Sequence, residues 1–366
     1  MRRRCAETFL IAGLAIRASA QSGSVVPWGD NSFDQTNLPP GLTNIVMISA
    51  GENHSLALRN DGTVFAWGDD SLHQVTLPPG LTTAMAVGAG ASHSLAVRSN
   101  GTVIGWGDNS FKQTTIPPTL TGVVAVSGGL RHSLALKSDG TVVAWGDNVY
   151  NQTNIPPNAT NVIAITAGFN FNVALKGNGT VVAWGDNALG ETDVPSDLNG
   201  VKGIAARFFH SLAVRTNGMV VSWGVDTAGQ SSVPSDLSNV TAVATGHFHS
   251  LALKNDGTVV GWGSNDQDQT TIPPNARGAF AIAAGGEFSL ALTAPLSPVI
   301  LKISLTNAHV LLQFTNAPSL NISIQGSTNL LNWDPLGTAV DRGNGSYDFE
   351  DVNTGGVRYR FYRTSL

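Results

Sequence analysis

Residues 28–40 read WGDNSFDQTNLPP, and the phrase returns as WGDDSLHQVTLPP from Trp67, WGDNSFKQTTIPP from Trp106 and WGDNVYNQTNIPP from Trp145. Working outward from it, Trp28, Trp67, Trp106, Trp145, Trp184, Trp223 and Trp262 follow one another at intervals of 39 residues, each with a glycine behind it. Gln35, Gln74, Gln113, Gln152, Gln230 and Gln269 keep the same interval, with Glu191 in the fifth place, and so do Pro39, Pro78, Pro117, Pro156, Pro195, Pro234 and Pro273. Three residue types in register over seven units make this a repeat protein.

Each unit holds a run such as NVIAITAG, then HSLALK, a Asp-Gly or Asn-Gly turn, TVVAWG and finally QTNIPP. Short Val-, Ile-, Ala- and Thr-rich segments between turn residues predict strands rather than helices. Four strands per unit and seven units predict an all-β, seven-bladed propeller over residues 21–294. The turns NDGT, SNGT and SDGT are expected to be primed hairpin turns with positive φ at both central residues. The array opens on the third strand of a unit, SVVPWGD, and ends on the first two, AFAIAAGGEFSLALTA. The N-terminal strand is therefore expected to complete the last blade and remove an open edge.

The stretch GENHSLALRNDGTVFAWGD resembles the regulator-of-chromosome-condensation type of repeat, over residues 24–294. The short unit and its QTNIPP-like ending are also similar to the propeller-type β-lactamase inhibitory proteins of bacteria. Both resemblances imply a seven-bladed propeller that works by binding other proteins.

The ends of the chain read differently. Arg2–Arg4, the apolar FLIAGLAI and ASA ending at Ala20 have the order of an export signal over residues 1–20, which places the protein outside the cell or in the periplasm or envelope. Cys5 is the only cysteine and lies inside that segment, so the mature chain has no disulfide or thiolate metal site. Without residues 1–20 the net charge moves from −5 to −8, which excludes counterion-driven binding to nucleic acid or anionic membrane. Residues 295–298 read as a linker. Beyond them, ILKISLTNAHVLLQFT predicts a hairpin and VRYRFYR an alternating strand, so 299–366 resembles a small fibronectin-III-like or Ig-like sandwich.

Two recurring columns invite a chemical reading. Asp30, Asp69, Asp108, Asp147 and Asp186 follow the tryptophans, but Val225 and Ser264 break the column. A structural Asx-type turn explains them without a calcium ion, which needs several converging oxygens. His54, His93, His132, His210 and His249 form the second column, with Phe171 and Phe288 in the remaining places. Exchange with phenylalanine argues for packing, and a neighbouring serine points to the other face of the strand. No nucleophile elbow, metalloprotease helix or phosphate loop is present. No enzyme, cofactor or metal is expected.

Variation between units locates the expected binding face. The loops joining first to second strands, and those following WGD, open on one end of the propeller. Phe169, Asn170, Phe208, Phe209, His247 and Phe248 come from three successive first loops, Arg131 from another, and Phe111 and Tyr150 from the post-tryptophan loops. An aromatic set of this kind suits a protein interface. The expected function is an exported, monomeric protein-binding scaffold. A carbohydrate-binding, lectin-like propeller is the alternative.

Overall fold

The protein was analysed as a computed structural model that describes residues 22–294 and, beyond them, 299–306, 309–315, 323–327, 331, 334–342, 346–352 and 361–365. The expected export signal at 1–20 and the linker at 295–298 lie outside the described residues. The chain divides into two compact units, Met1–Ala294 and Pro295–Leu366.

The first unit consists of seven three-stranded antiparallel sheets. The first holds Ile45–Ala50, His54–Arg59 and Val64–Gly68, and each later sheet repeats this pattern along the chain. In the seventh, Ala279–Ala284 and Phe288–Thr293 are completed by Ser24–Gly29, so the start of the chain pairs with its distant end. That pairing runs antiparallel from Ser24 opposite Thr293 to Gly29 opposite Phe288, as the repeat phase predicts. First strands of successive sheets pack on one another, and the first strand of the seventh packs on the first sheet, closing the ring. Each first strand also carries a register shift after its opening residue, such as that between Ile45 and Met47, which strengthens local twist.

Two local expectations are corrected. The fourth segment of the unit is not a strand: from Gln35 to Pro40 no ladder forms, and the same holds in the other copies. Paired prolines remove backbone donors, and the segment instead occupies the space beside the next sheet. There the carbonyl of Gln35 accepts both the Trp67 Nε1–H (2.8 Å) and the Ser55 hydroxyl (3.1 Å). The hairpin turns also differ from the primed type. Gly62 alone has a positive φ, 90°, while its N–H bonds the carbonyl of Arg59 and Arg59 N–H bonds Thr63. This is a three-residue loop ending in a left-handed glycine, and the Asp61 carboxylate accepts the Thr63 N–H.

Among its described residues the second unit forms two antiparallel sheets. One orders Val299–Thr306, His309–Thr315, Ser346–Asp351 and Val340–Asp341; the other orders Asp334–Thr338, Ser323–Ser327 and Phe361–Ser365. Leu312, Ile324, Ala339, Tyr347 and Phe349 form a core shared by both. The predicted hairpin at 300–315 is present; within VRYRFYR, residues 357–360 lie outside the described residues.

Candidate functional site: the loop end of the propeller

The recurrent WGD loop proves to be self-contained. After Trp106–Gly107, Asp108 Oδ1 accepts the Ser110 N–H and hydroxyl, and Oδ2 accepts the Gln113 side-chain N–H at 2.8 Å. The Gln113 side-chain oxygen then accepts the Phe111 N–H. Gln113 is wholly buried, so one glutamine braces its own loop with its side chain and the next sheet with its carbonyl. Carboxylate oxygens occupied in this way serve a turn. Among the described residues no group of three or more His, Cys, Asp or Glu stands in position to hold a metal ion.

The histidines are equally internal. His54 Nε2 meets Ser94 Oγ of the next sheet at 3.0 Å, and His93, His210 and His249 repeat this with Ser133, Ser250 and Ser289. His132 meets Asn172 Oδ1 instead, at 2.7 Å. Ser94 already donates to the Gln74 carbonyl, so Nε2 carries the imidazole proton. Burial drives His54, His93, His210 and His249 down to about 3, and His132 to about 4, which leaves all five neutral at pH 7. Where Phe171 replaces histidine, Ser211 Oγ of the next sheet has no partner. The ring also explains the glycine three residues earlier: a Cβ on Gly51 would lie 2.2 Å from His54.

That glycine column exposes what sequence reasoning missed. Gly51, Gly90, Gly129, Gly168, Gly246 and Gly285 fill it, but the fifth sheet places Arg207 there. The first loops converge at the axis of the ring, stitched by backbone bonds such as Glu52 N to Ala91 O, Phe169 N to Phe208 O and Gly286 N to Glu52 O. Arg207 reaches across that axis and donates from Nη1 to the Ala50 carbonyl of the first sheet at 2.8 Å. Burial lowers its guanidinium to about 10, with Glu52 opposing the shift, so it stays charged. A small, open cleft lies here between Arg207, Glu52, Leu130, Phe169, Phe208 and His247. The signal was available as a lone exception in a glycine column.

Of the residues singled out in the sequence, five come together. Phe208 packs against Phe169 (4.8 Å between centroids), Phe209 (4.4 Å) and Phe248 (5.5 Å), and stacks on His247 at 4.0 Å. All five are half-buried, so part of each remains on the surface. Phe208 has φ +46°, a left-handed conformation that no other phenylalanine, tyrosine or tryptophan of the described residues adopts. Such backbone costs on the order of 1–3 kcal/mol. His247 lies 3.9 Å from Glu52 and 3.8 Å from Glu287, beyond hydrogen-bond reach, while burial and Arg207 hold it neutral with a pKa of about 3. Burial raises Glu287, against the hydrogen bond from Gln269.

The other named residues stand outside this cluster. Arg131 lies over the Phe111 ring at 4.3 Å, Tyr150 has no ring contact among the described residues, and Asn170 accepts the Asp186 N–H on its carbonyl. Phe111 and Tyr150 belong instead to an outer crown with Phe33, Leu72 and Leu189, exposed by 37–53%. Their backbone N–H groups are held by the buried Gln or Glu, which turns the side chains outward. The crown lapses at Ala228 and Gln267, after the fifth and sixth sheets, where the inner aromatic cluster takes over.

The repeat described as "Regulator of chromosome condensation (RCC1) repeat" matches residues 45–74, 86–113, 123–152, 162–191 and 240–269. The fifth sheet, which carries Arg207, falls between the last two matches. No curated protein matches the chain. Among solved structures, the chain is similar to Prp20p of Saccharomyces cerevisiae, described with its binding properties to Gsp1p and histones: TM-score 0.64, 20% identity, 77% of this chain and 93% of Prp20p. Human WBSCR16 gives a TM-score of 0.60 at 17% identity, over 74% of this chain and 99% of that one. The ectodomain of the Arabidopsis thaliana receptor kinase ACR4 gives 0.52 at 23% identity, over 66% and 90%. At these identities the likeness is one of fold. With the repeat pattern, the ring of sheets and these neighbours in agreement, the first unit is a propeller whose blades carry the regulator of chromosome condensation (RCC1) repeat.

Proposed function

We propose that the chain is an exported, non-enzymatic binding propeller that docks another protein on its loop end, with Phe169, Phe208, Phe209, His247 and Phe248 as the central contact. The C-terminal unit, read as a fibronectin-III-like sandwich, serves as a spacer or attachment module. The observation that carries this reading is the partly exposed aromatic cluster built around Phe208 in its left-handed turn. The two-residue turn between the paired Arg207 and His210 sets the positive φ, but turn chemistry favours Gly or Asn there rather than Phe, whereas a preformed aromatic contact lowers the ordering cost of binding. The neighbouring fold of Prp20p, described with two protein partners, supports the same class of function.

A lectin-like reading is less well supported. Sugar recognition would draw on the Asn and Asp side chains of the loops, and Asp30, Asn31, Asp69, Asp70, Asp108 and Asn109 spend theirs on their own loops. The test is capture of partners from an extract of the source cells by the intact chain, beside a glycan array. Phe209→Ala and Phe248→Ala are expected to weaken protein capture at least tenfold, since interface aromatics contribute about 2 kcal/mol or more each. Glycan binding lost in the same variants, with protein capture unchanged, would reverse the assignment.

A further inference from the structure

The two ends of the propeller differ sharply in charge. Asp61, Asp139, Asp197, Asp236 and Asp256 are the only acidic residues at the hairpin-turn end; every other acidic residue between Asp30 and Glu287 belongs to the loop end. Basic residues divide the opposite way. Only Lys112, Arg131 and Arg207 stand at the loop end, against Arg59, Arg98, Lys137, Lys176, Arg215, Lys254 and others at the turn end. Salt bridges of the turn end, Arg59–Asp61, Lys137–Asp139 and Arg215–Asp197, neutralise part of it further. The loop carboxylates take their hydrogen bonds mostly from neutral Ser, Thr, Gln and backbone donors, so their charge is left uncompensated.

The apolar groups share that acidic end. The crown of Phe33, Leu72, Phe111, Tyr150 and Leu189 runs along the sector after sheets seven and one to four, and the inner cluster fills sheets four to six. The field is therefore not uniform across the face. At the axis Arg207 supplies the one central cation, beside Phe208 and His247, and the carboxylates lie around it.

We infer that the partner bound at the loop end is a protein surface rich in Lys and Arg that projects an apolar side chain. The apolar side chain seats on the inner aromatic cluster, where Arg207 repels a cation, and the basic flanks meet the outer carboxylates. Complementary charge of this kind steers association and selects partners, while the buried aromatic contact supplies most of the affinity. This rests on the proposed docking at the loop end and adds the partner's chemistry to it.

Three synthetic peptides of equal length, sharing Trp and Leu positions and differing only in Lys/Arg, Ser or Glu flanks, test it by fluorescence anisotropy on the intact chain. The cationic peptide is expected to bind at least tenfold tighter than the Ser peptide, and to weaken as salt rises from about 0.05 to about 0.5 M. Phe248→Ala and, separately, Asp266→Asn with Asp268→Asn in the exposed outer loop should each reduce its binding, whereas Asp61→Asn should not. Circular dichroism checks that every variant is folded. Equal or stronger binding of the Ser or Glu peptide, still lost in Phe248→Ala, overturns the cationic partner and leaves docking at the loop end standing. Binding of no peptide that responds to Phe248→Ala counts against both.

Discussion

At the residue scale, one repeated phrase carries two separable jobs. Trp145 is buried and hands its Nε1–H to the Gln113 carbonyl of the preceding loop, so Trp145→Ala should cost about 3–5 kcal/mol, the range for truncating a buried aromatic. Asp108 only braces its own loop, and Asp108→Ala should cost about 0.5–2 kcal/mol. Urea denaturation of the two variants should preserve that order. If Asp108→Ala proved the costlier, the loop rather than the inter-sheet contact would be the main tie. A chelator should leave the melting temperature unchanged, because the loop oxygens already have protein donors. A fall of several degrees would reassign the loops to metal binding.

At the element scale, the histidine column makes the stability of the ring depend on pH. The folded pKa values of about 3 to 4 lie below the ordinary 6.5, so the unfolded chain binds protons first as pH falls. Stability is therefore full above about pH 6.5 and is lost through the window down to about pH 3–4. Each such histidine contributes up to about 1.4 kcal/mol per pH unit there. His93→Phe copies what Phe171 and Phe288 already do in this column, and should flatten the dependence by about one proton. An unchanged slope would mean that the imidazole titrates freely in the fold. Closure belongs to the same scale. Deleting residues 21–30 removes the strand paired with Phe288–Thr293 and bares an edge, so the scattering mass should rise. A deletion that stayed monomeric and equally stable would show that the closing strand is dispensable.

At the scale of the whole molecule, the seven-fold architecture was legible in the amino-acid sequence. A strict 39-residue interval admits only like units in like positions, and a two-strand remainder at one end with a one-strand remainder at the other admits only closure. The recurrent Asp, Gln, Trp and His were legible as structure for the same reason, because local spacing repeats wherever the local geometry does. Three features were decided only by tertiary structure. The prolines' segment became an inter-sheet filler because its place was set by the next sheet's Trp and Ser donors. Phe169, Phe208, Phe209, His247 and Phe248 became one cluster, while Phe111 and Tyr150 did not, because residues of a repeat meet according to radius as well as order. Arg207 acquired its role from a carbonyl 157 residues earlier, across an axis that exists only once the ring has closed.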